Sequence, residues 1–112
     1  MSDGMKAQER RPKGAPAPAG SAVSDHPARS RFELLLQDSV AFIQYQRVGE
    51  RYVLLHAEVP PALRGRGIGA QLTSGALELV RAGCGTVEPR CPYVARFIAQ
   101  HVQYQDLLDR QL

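Results

Sequence analysis

Residues 63–72 read LRGRGIGAQL, and this glycine-rich stretch separates a strand-like run from a helix-like one. Pro60 and Pro61 end the strand, because proline offers no N–H group to a sheet. After the stretch, apolar residues recur at helical spacing until Gly83, which predicts the helix end; they are Ile68, Leu72, Ala76, Leu79 and Val80. The stretch therefore predicts a strand, a tight glycine turn and the N-terminus of an α-helix.

The segments on either side of this junction predict a mixed α/β fold. Upstream, three β-rich runs joined by short turns indicate an antiparallel meander, since such short connections cannot make a parallel crossover. Downstream we expect a short strand around residues 86–88, a helix that begins at Pro92 and a final short helix over residues 104–110. The connection from Val59 to Thr86 predicts a right-handed crossover. The fold class is therefore α/β, with a mixed, mostly antiparallel sheet and helices packed on it.

The third strand of the meander, residues 51–59, carries two polar side chains near its end. Strand alternation predicts one shared face for four residues: Tyr52, Leu54, His56 and Glu58. His56 and Glu58 are then about 6.6 Å apart along the strand. Either side chain could act as a general base, accepting a proton directly or through a water. The alternatives are a solvated glutamate at a strand end and a packed histidine.

The composition places the folded part in one small domain. The chain has 112 residues, 44% of them hydrophobic. The first thirty are rich in Pro, Gly, Ala and Ser without an apolar period, which predicts a flexible N-terminal tail over residues 1–30 and a domain over residues 31–112. No apolar run reaches the roughly 18 residues of a membrane span, and no signal peptide is evident, so we expect a cytoplasmic protein without membrane contact.

The charge and the cysteines narrow the expected partners. A net charge of +3 suits a phosphate-bearing ligand. The basic residues are spread along the chain without interleaved aromatic residues, so nucleic acid is not expected as a partner. Cys84 and Cys91 suit a reducing compartment better than a disulfide scaffold, and the cysteines and histidines lack metal-ligand spacing.

The glycine stretch has the features of a pyrophosphate site. At a helix start, the backbone N–H groups near residues 65–70 lack helical acceptors, and glycines let a ligand approach them closely. The helix dipole adds partial positive charge, and Arg64 and Arg66 add full charges. The spacing fits neither the Walker segment nor the Rossmann fingerprint Gly-x-Gly-x-x-Gly. A glycine-rich connector with solvated arginines is the alternative.

The same stretch matches the Arg/Gln-x-x-Gly-x-Gly/Ala signature of the GNAT superfamily of acetyl-CoA-dependent N-acetyltransferases, with Arg64, Gly67 and Gly69 in the signature positions. Together, LHAEVPPALRGRGIGAQL and VEPRCPYVARFIAQHVQYQDLL resemble a subfamily of very short, stand-alone GNAT proteins with a cysteine near the acetyl group. The resemblance covers nearly all of the folded part and none of the predicted tail. Where relatives tend to show His-Pro, this chain has His101-Val102.

The resemblance implies acetyl-CoA as the acetyl donor and an amine as the acceptor. It implies that the backbone around Val59 holds the pantetheine arm and that the following residues hold the pyrophosphate: Arg64, Gly65, Arg66, Gly67, Ile68, Gly69 and Ala70. It also implies that Cys91 lies beside the thioester, where an acetyl-cysteine intermediate has been proposed for the subfamily. Larger GNAT enzymes use a tyrosine of this helix to reprotonate CoA. Aligning Cys91 with their asparagine puts Ile98 at that position, so the usual acid is missing.

Cys91 also has a chemical context of its own. It follows Arg90 at a predicted helix start, and both the helix dipole and the neighbouring cation favour the thiolate. The thiolate could attack the thioester, or the thiol could donate its proton to the CoA sulfur after direct transfer. The third alternative is a small buried side chain, which is common for cysteine.

The predicted function is therefore an acetyl-CoA-dependent N-acetyltransferase. The small folded part leaves no separate acceptor domain, which favours an exposed acceptor site suited to a macromolecule such as a protein. The alternative is a non-catalytic CoA-binding module, or a protein-interaction module whose surface or basic tail contacts another protein.

Overall fold

A computed structural model describes residues 23–108, which form a five-stranded sheet with two α-helices. The strands are β1 (Val23–His26), β2 (Arg31–Leu35), β3 (Val40–Val48), β4 (Arg51–Glu58) and β5 (Thr86–Pro89). The helices are α1 (Ile68–Ala82) and α2 (Pro92–Ala99), with 3-10 turns at Pro27–Arg29, Pro61–Leu63 and Val102–Leu107. Strand order follows the chain, β1 to β4 are antiparallel and β5 is parallel to β4. The α/β prediction with a mixed, mostly antiparallel sheet is confirmed.

The core lies between the sheet and the helices. Ile43 and Leu54 from the sheet and Leu72 and Leu77 from α1 are completely buried. Burying one such side chain stabilises the fold by about 1.5–3 kcal/mol. Leu72, Ala76 and Val80 of the predicted stripe are buried, and Leu77, which the stripe did not include, is buried with them. Gly83 ends α1 as predicted, and its N–H bonds to the last helical carbonyls. Among the described residues, no helix has the length and apolarity to cross a membrane.

Strand β4 contains a β-bulge that changes which side chains face the core. Tyr45 of β3 pairs with Leu54, while the preceding residue of β3, Gln44, pairs with His56. Leu55 therefore has no partner on β3 and is the extra residue of the bulge. Because side chains alternate between the two faces of a sheet, one extra residue moves each side chain beyond it to the face opposite the predicted one.

The predicted face of β4 is wrong for this reason. Tyr52 and Leu54 are buried in the core, and beyond the bulge it is Ala57 that packs against the core. His56 and Glu58 point away from the core, with side chains 57% and 53% exposed. These two still share a face with each other, but not with the two buried residues that precede the bulge.

Strands β4 and β5 pair only over the first half of β4. The parallel register ends where Leu54 lies beside Pro89. The Leu54 carbonyl oxygen then accepts hydrogen bonds from the N–H groups of Arg90 and Cys91, each at 2.9 Å. Among the described strands, residues 56–58 pair with β3 alone and Leu55 has no partner, so the opposite edge of this half-strand is open. The predicted order of strand, helix and parallel strand is thus confirmed. β4 and β5 diverge beyond Leu54 and Pro89, where their pairing ends.

Residues 23–30, predicted as part of a flexible tail, are folded, so the predicted boundary is wrong. Val23–His26 forms β1, the outermost of the described strands, antiparallel to β2. The hydroxyl of Tyr45 donates a hydrogen bond to Asp25 at 2.6 Å, which ties β1 to the core. A composition scan misses this strand because backbone pairing and polar contacts, rather than an apolar run, hold it. Residues 1–22, the rest of the predicted tail, lie outside the described residues.

The end of the folded part also differs from the helix predicted over residues 104–110. A 3-10 helix covers Val102–Leu107, and Leu108 then forms an isolated parallel bridge with Val87 of β5. The chain leaves helical conformation early because it returns to the edge of the sheet. Residues 109–112 lie outside the described part of the chain.

Glu33 lies on β2, on the face opposite the core, and is buried under cationic side chains. The Nε atoms of Arg29 and Arg31 each donate to it at 3.0 Å, and Nε2 of His26 lies 3.3 Å away. Hydrogen bonds from Arg29, and then from Arg31, lower the pKa of Glu33 to about 2, against the raising effect of burial. This charged cluster therefore stabilises the contact of β1 and the turn that follows it with β2, because His26 and Arg29 both lie within 3.3 Å of the Glu33 carboxylate.

We expect Glu33→Gln to lower the thermal midpoint at neutral pH by a few degrees, because the arginines lose a buried charged acceptor. The folded-state pKa is lowered, so this contribution is fully present above the ordinary value of 4.5 and is lost as the pH falls toward about 2. Thermal melts of both proteins across that range should show the gap closing on acidification. A gap of constant size would contradict the electrostatic explanation.

Candidate functional site

A cavity of about 610 Å³ opens where the unpaired edge of β4 faces the starts of α1 and α2. Twelve residues line it: His56, Ala57, Glu58, Val59, Leu63, Arg64, Gly65, Gly67, Ile68, Gly69, Ala70 and Tyr93. His56 and Ala57 point to opposite faces of the sheet and still line the same cavity, so β4 meets it with its edge. Backbone groups of an open edge can bond to an extended ligand. The cavity therefore suits a long polar molecule that lies along β4.

The turn between β4 and α1 requires two residues with positive φ. Gly65 has φ +83° and Gly67 has φ +77°, a region that other residues rarely adopt. Gly67 is the N-cap of α1, and the Gln71 N–H bonds to its carbonyl at 3.0 Å. The N–H groups of residues 68–70 therefore have no acceptor within the helix, and these residues line the cavity. Together with the helix dipole, they favour an anion at this end.

The two arginines of the turn are placed differently. Arg64 lines the cavity, and its Nε donates to the Val59 carbonyl oxygen at 3.2 Å across the turn. Arg66 is exposed and is not among the lining residues. Nine of the eleven predicted site residues thus line one cavity, and Arg66 and Cys91 are the two that do not.

His56 and Glu58 form a polar pair at the open edge. Nε2 of His56 and Oε1 of Glu58 are 3.1 Å apart. Their neighbours on β3 are Gln44 and Phe42, and the Phe42 ring meets the imidazole edge-on with centroids 6.3 Å apart. Imidazole and carboxylate both accept protons in general-base catalysis, and about half of each side chain is exposed. The pair can therefore exchange protons with a ligand or with solvent.

Cys91 lies at the start of α2, where it was predicted, as the N-cap residue. Its side chain is only 5% exposed and packs within the core. Its N–H bonds to the Leu54 carbonyl, so its backbone lies at the point where β4 and β5 separate. Cys84 is exposed, and both thiols are free.

Tyr93 is a cavity residue that sequence reasoning missed. It is the second residue of α2, lines the cavity and is 41% exposed. Burial of the ring, and then the neighbouring Cys91, raise the pKa of Tyr93. The only signal in the sequence was an aromatic residue two positions after Cys91. Whether it faces a cavity or the core depends on where α2 lies, which residue spacing does not reveal.

Comparison with known proteins connects this geometry to a family. The profile of the GCN5-related N-acetyl-transferase family matches residues 31–107, more than half of the chain. That range contains β2 to β5, both α-helices and every residue that lines the cavity.

Curated relatives are similar over a shorter range. Protein NATD1 of Bos taurus is 39% identical over 62 residues, which cover 54% of this chain and 55% of that protein. Protein NATD1 of Mus musculus and of Homo sapiens are each 37% identical over 62 residues, covering 54% of this chain and 56% and 55% of those proteins. The chain therefore spans about half the length of the curated relatives it matches.

Proposed function

Because the chain belongs to the GCN5-related N-acetyl-transferase family, we propose that it binds acetyl-CoA and transfers the acetyl group to an amine. The observation that carries the proposal is the cavity that joins the open edge of β4 to the glycine turn before α1. One end of it offers backbone groups to an extended arm, and the other offers N–H groups to an anion. Acetyl-CoA has both parts, a pantetheine arm and a pyrophosphate.

In this proposal, the pyrophosphate lies against the N–H groups of residues 68–70, with Arg64 beside it. Arg66, exposed on the same turn, adds positive charge near the cavity. The pantetheine arm lies along the open edge of β4 and Val59. This orientation directs the thioester toward the point where β4 and β5 separate.

The acceptor must reach the acetyl carbonyl as a neutral amine. Its ammonium form first loses a proton to Glu58 or His56, directly or through a water. The amine nitrogen then attacks the carbonyl carbon and the C–S bond breaks. CoA leaves as a thiolate and takes up a proton, so the products are an amide and free CoA. The exposure of both side chains suits an acceptor on a macromolecule such as a protein.

A second route would place the acetyl group on Cys91. Its thiolate would form a bond to the carbonyl carbon as the bond to CoA breaks, and the amine would then restore the thiolate. The position of Cys91 at the start of α2 supports this route, whereas its burial supports a packing role. We place either reaction in the cytoplasm, a reducing compartment in which both thiols stay free.

Mass spectrometry of the intact protein separates the two routes. After incubation with acetyl-CoA alone, the covalent route predicts one added acetyl group that is lost in Cys91→Ser and kept in Cys84→Ser. Direct transfer predicts an unmodified mass together with release of free CoA once a panel of amines, including a lysine peptide, is added. Thermal stabilisation by CoA without release for any amine would instead indicate a non-catalytic CoA-binding module. If CoA at concentrations far above micromolar does not raise the thermal midpoint of the protein, the proposed acetyl-CoA site is wrong.

A further inference from the structure

We infer that the Tyr93 hydroxyl, which lies beside the first turn of α1, donates a hydrogen bond to the pyrophosphate of the acyl donor. The inference rests on the proposed function and adds a residue outside the glycine signature to the donor site. Tyr93 is then a binding residue, and its contribution is to affinity rather than to the chemical step.

The position of the ring supports this assignment. The hydroxyl oxygen and Cζ of Tyr93 lie 2.9 and 3.1 Å from the place where a Cβ atom on Gly69 would stand. Gly69 is in the first turn of α1, and its N–H is among those without an acceptor in the helix. The hydroxyl therefore lies beside Gly69 in the first turn of α1, and Tyr93 lines the same cavity as residues 68–70.

Within the described part of the chain, the Tyr93 hydroxyl is also a donor without a protein acceptor. Among residues 23–108, the hydroxyls of Tyr45 and Tyr104 donate to carboxylates at 2.6 and 2.9 Å. The Tyr93 hydroxyl has no such partner within the same range, and it borders the cavity. A hydroxyl that donates to an anion forms a charge-assisted hydrogen bond, which is stronger than a neutral one. Burial raises the pKa of Tyr93, so its proton is present at neutral pH.

The absence of a side chain at Gly69 leaves the space that the Tyr93 ring occupies. Positive φ explains why glycine stands at positions 65 and 67, but Gly69 does not have a positive φ. What a side chain at position 69 would meet is the Tyr93 hydroxyl. The signature permits alanine here, and in this chain the missing methyl group leaves room for the hydroxyl. An alanine at this position would push the ring away from the first turn.

Calorimetric titration with CoA tests the inference. We expect Tyr93→Phe to weaken CoA binding about tenfold, and kcat at saturating acetyl-CoA to stay unchanged. Tyr104→Phe also removes a hydrogen-bonded hydroxyl, but away from the cavity, and should leave CoA affinity at the wild-type value. Gly69→Ala should weaken binding in the wild-type background and cause little further loss in Tyr93→Phe. Pantetheine, which lacks the pyrophosphate, should inhibit both proteins equally as a competitor.

The outcomes separate this inference from the proposed function. Equal CoA affinity in wild type and Tyr93→Phe overturns the inference and leaves the proposed function standing. A wild-type protein that does not bind CoA overturns the proposed function itself. A fall in kcat with unchanged CoA affinity also overturns the inference, because it places the hydroxyl at the sulfur of the thioester. Thermal melts without ligand establish that each variant is folded.

Discussion

Gly67→Val is expected to weaken CoA binding about 100-fold and to remove most of the thermal stabilisation that CoA gives the wild-type protein. Gly67 is the N-cap of α1 with φ +77°, and a β-branched residue is strongly disfavoured there. The turn must change its path to relieve the strain. The N–H groups that follow are then no longer aligned toward the pyrophosphate, and several charge-assisted hydrogen bonds are lost together.

Gly49→Val is the matched control for this effect. Gly49 has φ +64° in the hairpin between β3 and β4, and a Cβ atom would meet nothing within 4 Å at either glycine. Both valines therefore cost the fold about 1–2 kcal/mol of backbone strain, but only one disturbs the cavity. Titrations should show wild-type CoA affinity in Gly49→Val. Equal losses in both variants would mean a general loss of structure, and full affinity in Gly67→Val would exclude the turn as the anion site.

Glu58→Gln is expected to lower the rate of acetyl transfer at neutral pH by about 10²–10⁴-fold with CoA affinity unchanged, if Glu58 is the base. Glutamine keeps the shape of the side chain and removes its capacity to accept a proton. His56→Gln tests its partner at 3.1 Å in the same way. The larger loss identifies the base, and the other member of the pair is then a positioning residue. Single-turnover rates at saturating acetyl-CoA provide the measurement.

The pH profile distinguishes a lost base from a distorted site. As the pH rises toward the pKa of the acceptor amine, more of the amine is already neutral, and the deficit of the variant should shrink. A deficit that is constant with pH would contradict a general-base role for the mutated residue. Glu50→Gln, in the exposed hairpin turn away from the cavity, should transfer at the wild-type rate.

The parts of the fold that the sequence predicted are those that local patterns determine. The apolar stripe of α1, Gly83 at its end and Pro92 at the start of α2 act within one or two turns of helix, and the structure confirms all three. The bulge at Leu55 has no such signature, because it is defined by the pairing of β4 with a second strand. The strand β1 was missed because its stability comes from partners on β2 and β3, which composition does not represent.

The candidate site shows the same division. The glycine turn could be recognised from Gly65 and Gly67, since the ability to adopt positive φ is a property of glycine itself. Tyr93 could not, because its place in the cavity depends on how α2 packs beside α1. The burial of Cys91 is likewise a property of the assembled core, and it makes the thiol less accessible than its helix-start position suggested.

The divided pairing of β4 also sets an order for folding. Its pairing with β3 is a hairpin of short loop length, whereas its pairing with β5 joins residues 51–54 to residues 86–89 across the whole of α1. Closing the longer loop costs more entropy, so the hairpin is expected to form first and the parallel pair last. The edge of β4 therefore exists before the cavity does. A bound acetyl donor would then stabilise the β4–β5 pairing, which forms last. Raising the donor concentration would mainly lower the frequency with which this pairing opens.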